Sequence, residues 1–166
     1  MRRSFAPVYA SFIENANGAT ELAVMNETGK PATIEVEYGC RCLSGETLET
    51  RSMQITLENG VAYRKTVDFA VDAKNTYLYT AVTYNGETVR NVYSPDMWQT
   101  AEFNGTYTVK KEQVTPCKAN ITVKANGFVK GLYLSFPENC GYRFSDNYLD
   151  IEDGQEITVT VTAEHP

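Results

Sequence analysis

The stretch that decides the fold is ATIEVEYGCRC, Ala32–Cys42. On an extended chain Ile34, Val36, Tyr38, Cys40 and Cys42 share one side, and Glu35, Glu37 and Arg41 share the other. Successive side chains of a strand point to opposite faces, so this pattern describes a strand with one face buried and one wet. The same period of two recurs outward from it. In YRKTVDFAV, residues 63–71, Tyr63, Val67, Phe69 and Val71 alternate with Arg64, Thr66 and Asp68, and Lys65 is the one charge on the apolar side. In EITVTVTA, residues 156–163, Ile157, Val159 and Val161 alternate with Thr158, Thr160 and Thr162. Further strands are expected at 5–13, 20–26, 51–57, 76–84, 87–93, 107–114, 118–125, 128–136 and 147–151. Turn pairs separate them: Asn17-Gly18, Asn59-Gly60, Asn85-Gly86, Asn126-Gly127 and Asp153-Gly154, each a dipeptide suited to tight turns. Asn85-Gly86 joins two alternating segments across two residues, the signature of a hairpin. No window carries a sustained helical stripe. The expected fold is all-β, two tandem immunoglobulin-like antiparallel β-sandwiches.

The stretch SPDMWQTAEFNG, residues 94–105, breaks the alternation and carries Pro95 and the sole tryptophan, Trp98. It places the expected domains at 1–100 and 101–166. A domain of about 60 residues is marginal alone. The second is therefore expected to lean on the first, with Met97, Trp98 and Phe103 in the joint.

Size and charge bound the function. At 166 residues and 18.5 kDa the chain has no room for a (β/α)₈ barrel. Lys and Arg number 15 against 21 Asp and Glu. Residues 1–100 carry 9 basic and 12 acidic side chains and residues 101–166 carry 6 and 9, so each part is −3. Neither has the cationic surplus that a phosphate backbone requires, and no nucleic-acid partner is expected. No run of 18 apolar residues is present, so no membrane-spanning helix is expected. The opening MRRSFAPVYASFIENANG lacks the apolar stretch of a signal peptide. The expectation is a cytoplasmic chain, or one placed by an N-terminal portion of a longer parent.

A search for chemistry yields little. Cys40 and Cys42 sit on one face of one strand, poor geometry for bonding each other. Cys117 and Cys140 are too far apart in sequence to supply the second close pair of a zinc site. The cysteines read as buried thiols, or Cys117 and Cys140 as a disulfide. The sole histidine, His165, lies next to the C-terminus, a weak place for a catalytic base. Asp146, Asp150, Glu152 and Asp153 read as the acidic rim of a turn, or as a Ca²⁺ site, although their spacing matches no EF-hand loop. No catalytic residue, metal ligand or cofactor is assigned. Tyr77 and Tyr79 share one face of a strand whose other face carries Leu78, Val82 and Tyr84. With both faces apolar the strand is central. Together with Trp98 these tyrosines read either as core or inter-domain packing or as a platform that stacks on sugar rings. Asn26-Glu27-Thr28, Asn104-Gly105-Thr106 and Asn120-Ile121-Thr122 fit the N-glycosylation pattern.

Two segments carry a resemblance. RRSFAPVYASF, residues 2–12, resembles the exit of the catalytic barrel into the first C-terminal β domain of β-mannosidase-type enzymes, within the family 2 glycoside hydrolases. LYLSFPENCGYRFSDNYLDIEDGQEITVTV, residues 132–161, is similar to that family's last immunoglobulin-like domain. Phe144, Ser145, Asp146, Asn147, Tyr148, Leu149, Asp150, Ile151 and Gly154 fill its Phe-Ser-Asp-Asn-aromatic pattern. The resemblance implies a parent hydrolase of β-mannosides whose acid/base and nucleophile sit on a barrel, and no position here matches them. It implies that this chain is a non-catalytic accessory C-terminal region, structural, with weak binding of a mannose-containing glycan as an added capacity. Its partners would be the barrel and N-terminal domains of its own parent. The FSDN turn, Phe144 through Tyr148 with Asp150, is expected to fix backbone through its Ser and Asp side chains. The alternative is a free-standing carbohydrate-binding or cell-surface adhesion module.

Overall fold

The computed structural model describes residues 6–135 and 141–163. Arg2, Arg3, Cys140 and His165 lie outside them. The described residues form strands and turns without a helix, and no helix is long and apolar enough to cross a membrane. The chain divides into two compact units, Met1–Cys42 with Glu46–Glu102, and Leu43–Gly45 with Phe103–Pro166.

The first unit contains β1 (Val8–Glu14), β2 (Thr20–Asn26), β3 (Ala32–Cys42), β4 (Thr47–Leu57), β5 (Ala62–Thr66), β6 (Thr76–Tyr84) and β7 (Glu87–Tyr93). They build a three-stranded sheet, β1-β2-β5, and a four-stranded sheet, β4-β3-β6-β7. All pairs are antiparallel. The inner faces meet in one core. Val8, Ala10, Phe12, Leu22 and Val24 come from the first sheet, and Ile34, Val36, Tyr38, Cys40, Leu78 and Val82 from the second. The alternation of Ala32–Cys42 is thus realised from Ala32 through Cys40, as an immunoglobulin-like sandwich requires, while Cys42, beyond the register shift at Cys40/Arg41, is half-buried and outside the core. The hairpin at Asn85-Gly86 forms with both residues at positive φ, 51° and 80°, the backbone of a two-residue connection.

Asn26 is buried at the end of β2 with 0% exposure. Its amide donates to the carbonyls of Lys30 and Leu57, both at 2.8 Å, and its Oδ1 accepts from the backbone and hydroxyl of Thr28. Burial of this amide carries little penalty because every polar atom is bonded. Gly39 is fixed by close approach: a Cβ there would lie 2.1 Å from the Glu49 carbonyl oxygen and 3.0 Å from the Tyr79 ring.

The second unit contains β8 (Thr106–Thr115), β9 (Lys118–Asn126), β10 (Val129–Leu132), β11 (Tyr142–Phe144), β12 (Leu149–Ile151) and β13 (Glu156–Ala163). The order β11-β13-β9-β8 makes a four-stranded sheet, and β10-β12 a two-stranded one. Val123, Ala125, Val129, Leu149, Ile151 and Val159 fill the core between them. The turn 43–45 belongs to this unit: Phe128 N donates to Leu43 O at 2.7 Å.

Several strand limits differ from the sequence reading: β4 starts at Thr47 rather than 51, β12 at Leu149 rather than 147, and β11 is not among the expected strands. Two further differences have a visible physical reason. The ladder of 63–71 stops at Thr66, yet Val67 stays buried and Phe69 and Val71 pack on the core. Alternation there reports burial, not pairing. The strand expected at 128–136 spans only Val129–Leu132, because Gly131 adopts φ 61° and the register with β12 shifts, as at a bulge.

Candidate functional site

The residues singled out as a sugar platform lie in the first unit. Tyr77 and Tyr79 project from β6 on the side opposite the core, and both have 0% exposure. β6 is central in its sheet, as two apolar faces imply. The Arg41 guanidinium lies 3.8 Å from the centroid of the Tyr79 ring, and the Tyr79 hydroxyl pairs with Thr50 Oγ1 at 2.8 Å. The Tyr77 ring lies 6.2 Å from that of Trp98, tilted by 40°. A ring with no exposed face cannot stack on a sugar. Tyr77 and Tyr79 are therefore packing residues in this fold, which corrects the platform reading for those two.

Trp98 is half-buried in the 94–100 loop. Met97 and Trp98 both adopt positive φ, 53° and 69°, an uncommon backbone for large side chains. Asp96 holds it. Its carboxylate accepts from Ser94 Oγ at 2.6 Å, Trp98 N at 3.0 Å and Thr100 N at 2.9 Å, and from the Thr100 hydroxyl. These donors, the Ser94 hydroxyl first, pull the Asp96 carboxyl down to about 2, because each stabilises the ionised form. Met97, expected in the joint, is 76% exposed, whereas Phe103 stacks on Phe128 at 6.3 Å.

Beyond Tyr79 the outer face of the four-stranded sheet is polar. An open depression of about 500 Å³ is lined by Glu35, Glu37, Ser52, Gln54, Thr83 and Arg90 among others.

The FSDN turn lies between β11 and β12 in the second unit. Ser145 Oγ accepts from Thr160 N at 2.9 Å, and Asp146 Oδ1 accepts from Asn147 N at 2.9 Å. Asn147 bridges two segments: its Oδ1 accepts from Leu134 N at 2.7 Å and its Nδ2 donates to Leu134 O at 2.7 Å. The same oxygen accepts from Tyr148 N at 3.0 Å. Tyr148 follows at φ 55°. Asp150 pairs with Lys130 Nζ at 2.7 Å and accepts from Gly131 N, while Asp153 accepts from Gly127 N at 2.7 Å. The carboxylates of Asp146, Asp150 and Asp153 thus serve separate local partners. Among the described residues no group of three or more His, Cys, Asp or Glu converges as metal ligands would. Cys40 is buried, Cys42 and Cys117 are half-buried, and all three are free thiols. Cys140, the other half of the disulfide reading, lies outside the described residues.

One aromatic pair escaped the sequence reading. Tyr133 and Tyr148 stack at 4.9 Å with 56% and 72% exposure. Both were present in the quoted motif. Only the pairing of Leu132 with Leu149 brings them side by side.

This geometry can be set against known proteins. Residues 99–166 match Ig_mannosidase, an Ig-fold domain family. That is the family to which the FSDNYLDI string pointed, and the Ig_mannosidase segment contains the whole FSDN turn. Solved structures extend the likeness of fold to the first unit. The β-D-mannosidase of Dictyoglomus thermophilum aligns with a TM-score of 0.76 and 14% identity, over 99% of this chain and 20% of that one. The exo-chitosanase of Amycolatopsis orientalis aligns with a TM-score of 0.56 and 13% identity, over 93% of this chain and 23% of that one. The chain therefore spans about a fifth of the length of the enzymes it resembles. Among curated proteins no sequence matches.

Proposed function

We propose that this chain is the non-catalytic accessory C-terminal region of a β-mannosidase-like glycoside hydrolase, carried beside a catalytic barrel. The observation that carries the reading is the alignment of 99% of this chain, both units included, with 20% of a β-D-mannosidase. The Ig_mannosidase match over 99–166 supports it independently. Local chemistry points the same way: the Asp146 carboxylate and the Asn147 amide of the FSDN turn are engaged in holding backbone. The role is to supply folded β surface to the rest of the parent chain.

Two measurements test this. The reading frame upstream of Arg2 is expected to continue into a barrel-encoding sequence. A start codon with its own ribosome-binding site at Met1 would favour the free-standing carbohydrate or adhesion module instead. The purified chain is expected to release no p-nitrophenol from p-nitrophenyl β-mannoside. Turnover that co-purifies with the chain would overturn the non-catalytic reading.

A further inference from the structure

We propose that Tyr133 and Tyr148 form a preorganised platform that stacks on the apolar face of a β-linked pyranose ring. The choice of a saccharide rests on the accessory-domain reading, and the geometry is independent of it.

Three observations carry the proposal. The first is exposure. The two rings lie 4.9 Å apart, tilted by 32°, and remain 56% and 72% exposed. A paired, solvent-facing set of aromatics is a surface feature that folding alone does not call for. The second is rigidity. Asn147 ties Leu134 to Tyr148 through bonds of 2.7, 2.7 and 3.0 Å, so the residues after Tyr133 and before Tyr148 are clamped together. Tyr148 is held at φ 55°, a conformation that a large side chain adopts only when its surroundings impose it. A fixed ring loses little freedom on binding. The third is composition. Tyr133 and Tyr148 are the exposed large apolar side chains on or beside β10 and β12, whose remaining outward groups include the Lys130–Asp150 ion pair at 2.7 Å.

That combination discriminates between ligands. A stable protein interface needs about 800 Å² per partner with an apolar centre, which two rings beside an ion pair do not supply. A polyanion or an anionic lipid surface wants a cationic surplus, and here the one lysine is matched by Asp150. A β-linked hexopyranose has mostly equatorial substituents, so its C–H bonds form an apolar face of about one ring's area, rimmed by hydroxyls. Such a face suits an aromatic platform flanked by a donor and an acceptor.

The test is a ¹H–¹⁵N NMR titration of the full chain with β-1,4-mannotetraose and cellotetraose, with α-linked maltotetraose as comparison. Saturable shifts are expected at the backbone amides of 131–134 and 147–150 with a β-linked sugar. Tyr148→Phe should retain binding. Tyr148→Asn removes the ring while tolerating the left-handed backbone, and should weaken binding by roughly tenfold or more, the scale of one lost aromatic contact. Tyr133→Ala should do the same. No shift at tens of millimolar of any sugar overturns the proposal, as does binding that Tyr148→Asn leaves unchanged. Concentration-dependent self-association that Tyr148→Asn abolishes would also overturn it, in favour of a protein contact. A silent titration leaves the accessory-domain reading standing, because the upstream reading frame decides that separately.

Discussion

At the scale of single residues, hydrogen-bond geometry decides behaviour more than residue type. Asp96 is a half-buried surface carboxylate around which four donors organise. Its folded value near 2 lies below the usual 3.8, so ionised Asp96 stabilises the 94–100 loop above pH 3.8. That contribution fades as pH falls from there through about 2. Trp98 emission is expected to shift to the red across this interval in the native chain. Asp96→Ala should show the shifted emission already at neutral pH. An unchanged spectrum in the variant would remove Asp96 from the role. Cys40 behaves oppositely. Burial pushes its thiol up, and thiolate is the reactive form. Alkylation at pH 8 should therefore label Cys42 and Cys117 first, and Cys40 only at the rate of unfolding. Rapid labelling of Cys40 by peptide mapping would contradict its packing.

At the scale of elements, the sequence made the strands legible where packing and pairing coincide. Ala32–Cys42 is such a case: its apolar side is the core and both its edges are hydrogen-bonded. Residues 67–71 are not, since they alternate and bury without joining a ladder. The three-residue β11 is too short to leave a period in the sequence. The sugar-platform reading failed at Tyr77 and Tyr79 for a related reason. Two apolar faces mark a central strand, but whether the outer face is covered depends on Arg41 and on the loop of Trp98, neither of which the period of β6 encodes. Tyr133 and Tyr148 lay in plain sight, but their proximity depends on a register between short strands. Gly39 is a position where the four-stranded sheet has no room for a side chain. Gly39→Ala would drive a methyl group into the Glu49 carbonyl. It should destabilise the first unit by about 2 kcal/mol or more, as overpacking does when backbone must move. A denaturant melt within a few tenths of wild type would show that β4 yields freely.

At the scale of the whole molecule, the division is not a single cut in the chain. The second unit takes Leu43–Gly45 as well as Phe103–Pro166. A fragment starting at 103 lacks the Leu43 carbonyl that accepts from Phe128 N. It also lacks Gly45, whose backbone approaches Asp153 so closely that a Cβ would lie 2.4 Å from that carboxyl. The fragment is small enough to be marginal on its own. Its melt is expected below the corresponding transition of the full chain, and an equal or higher melt would show that the tripeptide contributes nothing. The charge of −6 leaves no cationic surplus for a polyanion to grip, in keeping with neutral ligands or protein surfaces as neighbours.

The buried amide of Asn26 has a consequence for where this protein can be made. In a eukaryotic secretory route, oligosaccharide is attached at Asn-X-Thr while the chain is still unfolded. Asn26 would then be a competent acceptor, because nothing yet hides it. A sugar on its nitrogen leaves one hydrogen where the folded chain uses two, to Lys30 and Leu57, in a position with 0% exposure. The modified chain could not close β2 against that turn. Yeast secretion should accordingly yield two populations, an Asn26-glycosylated one that is retained and degraded and one unmodified at Asn26 that folds. Bacterial cytosol, which lacks the transferase, should yield only the second.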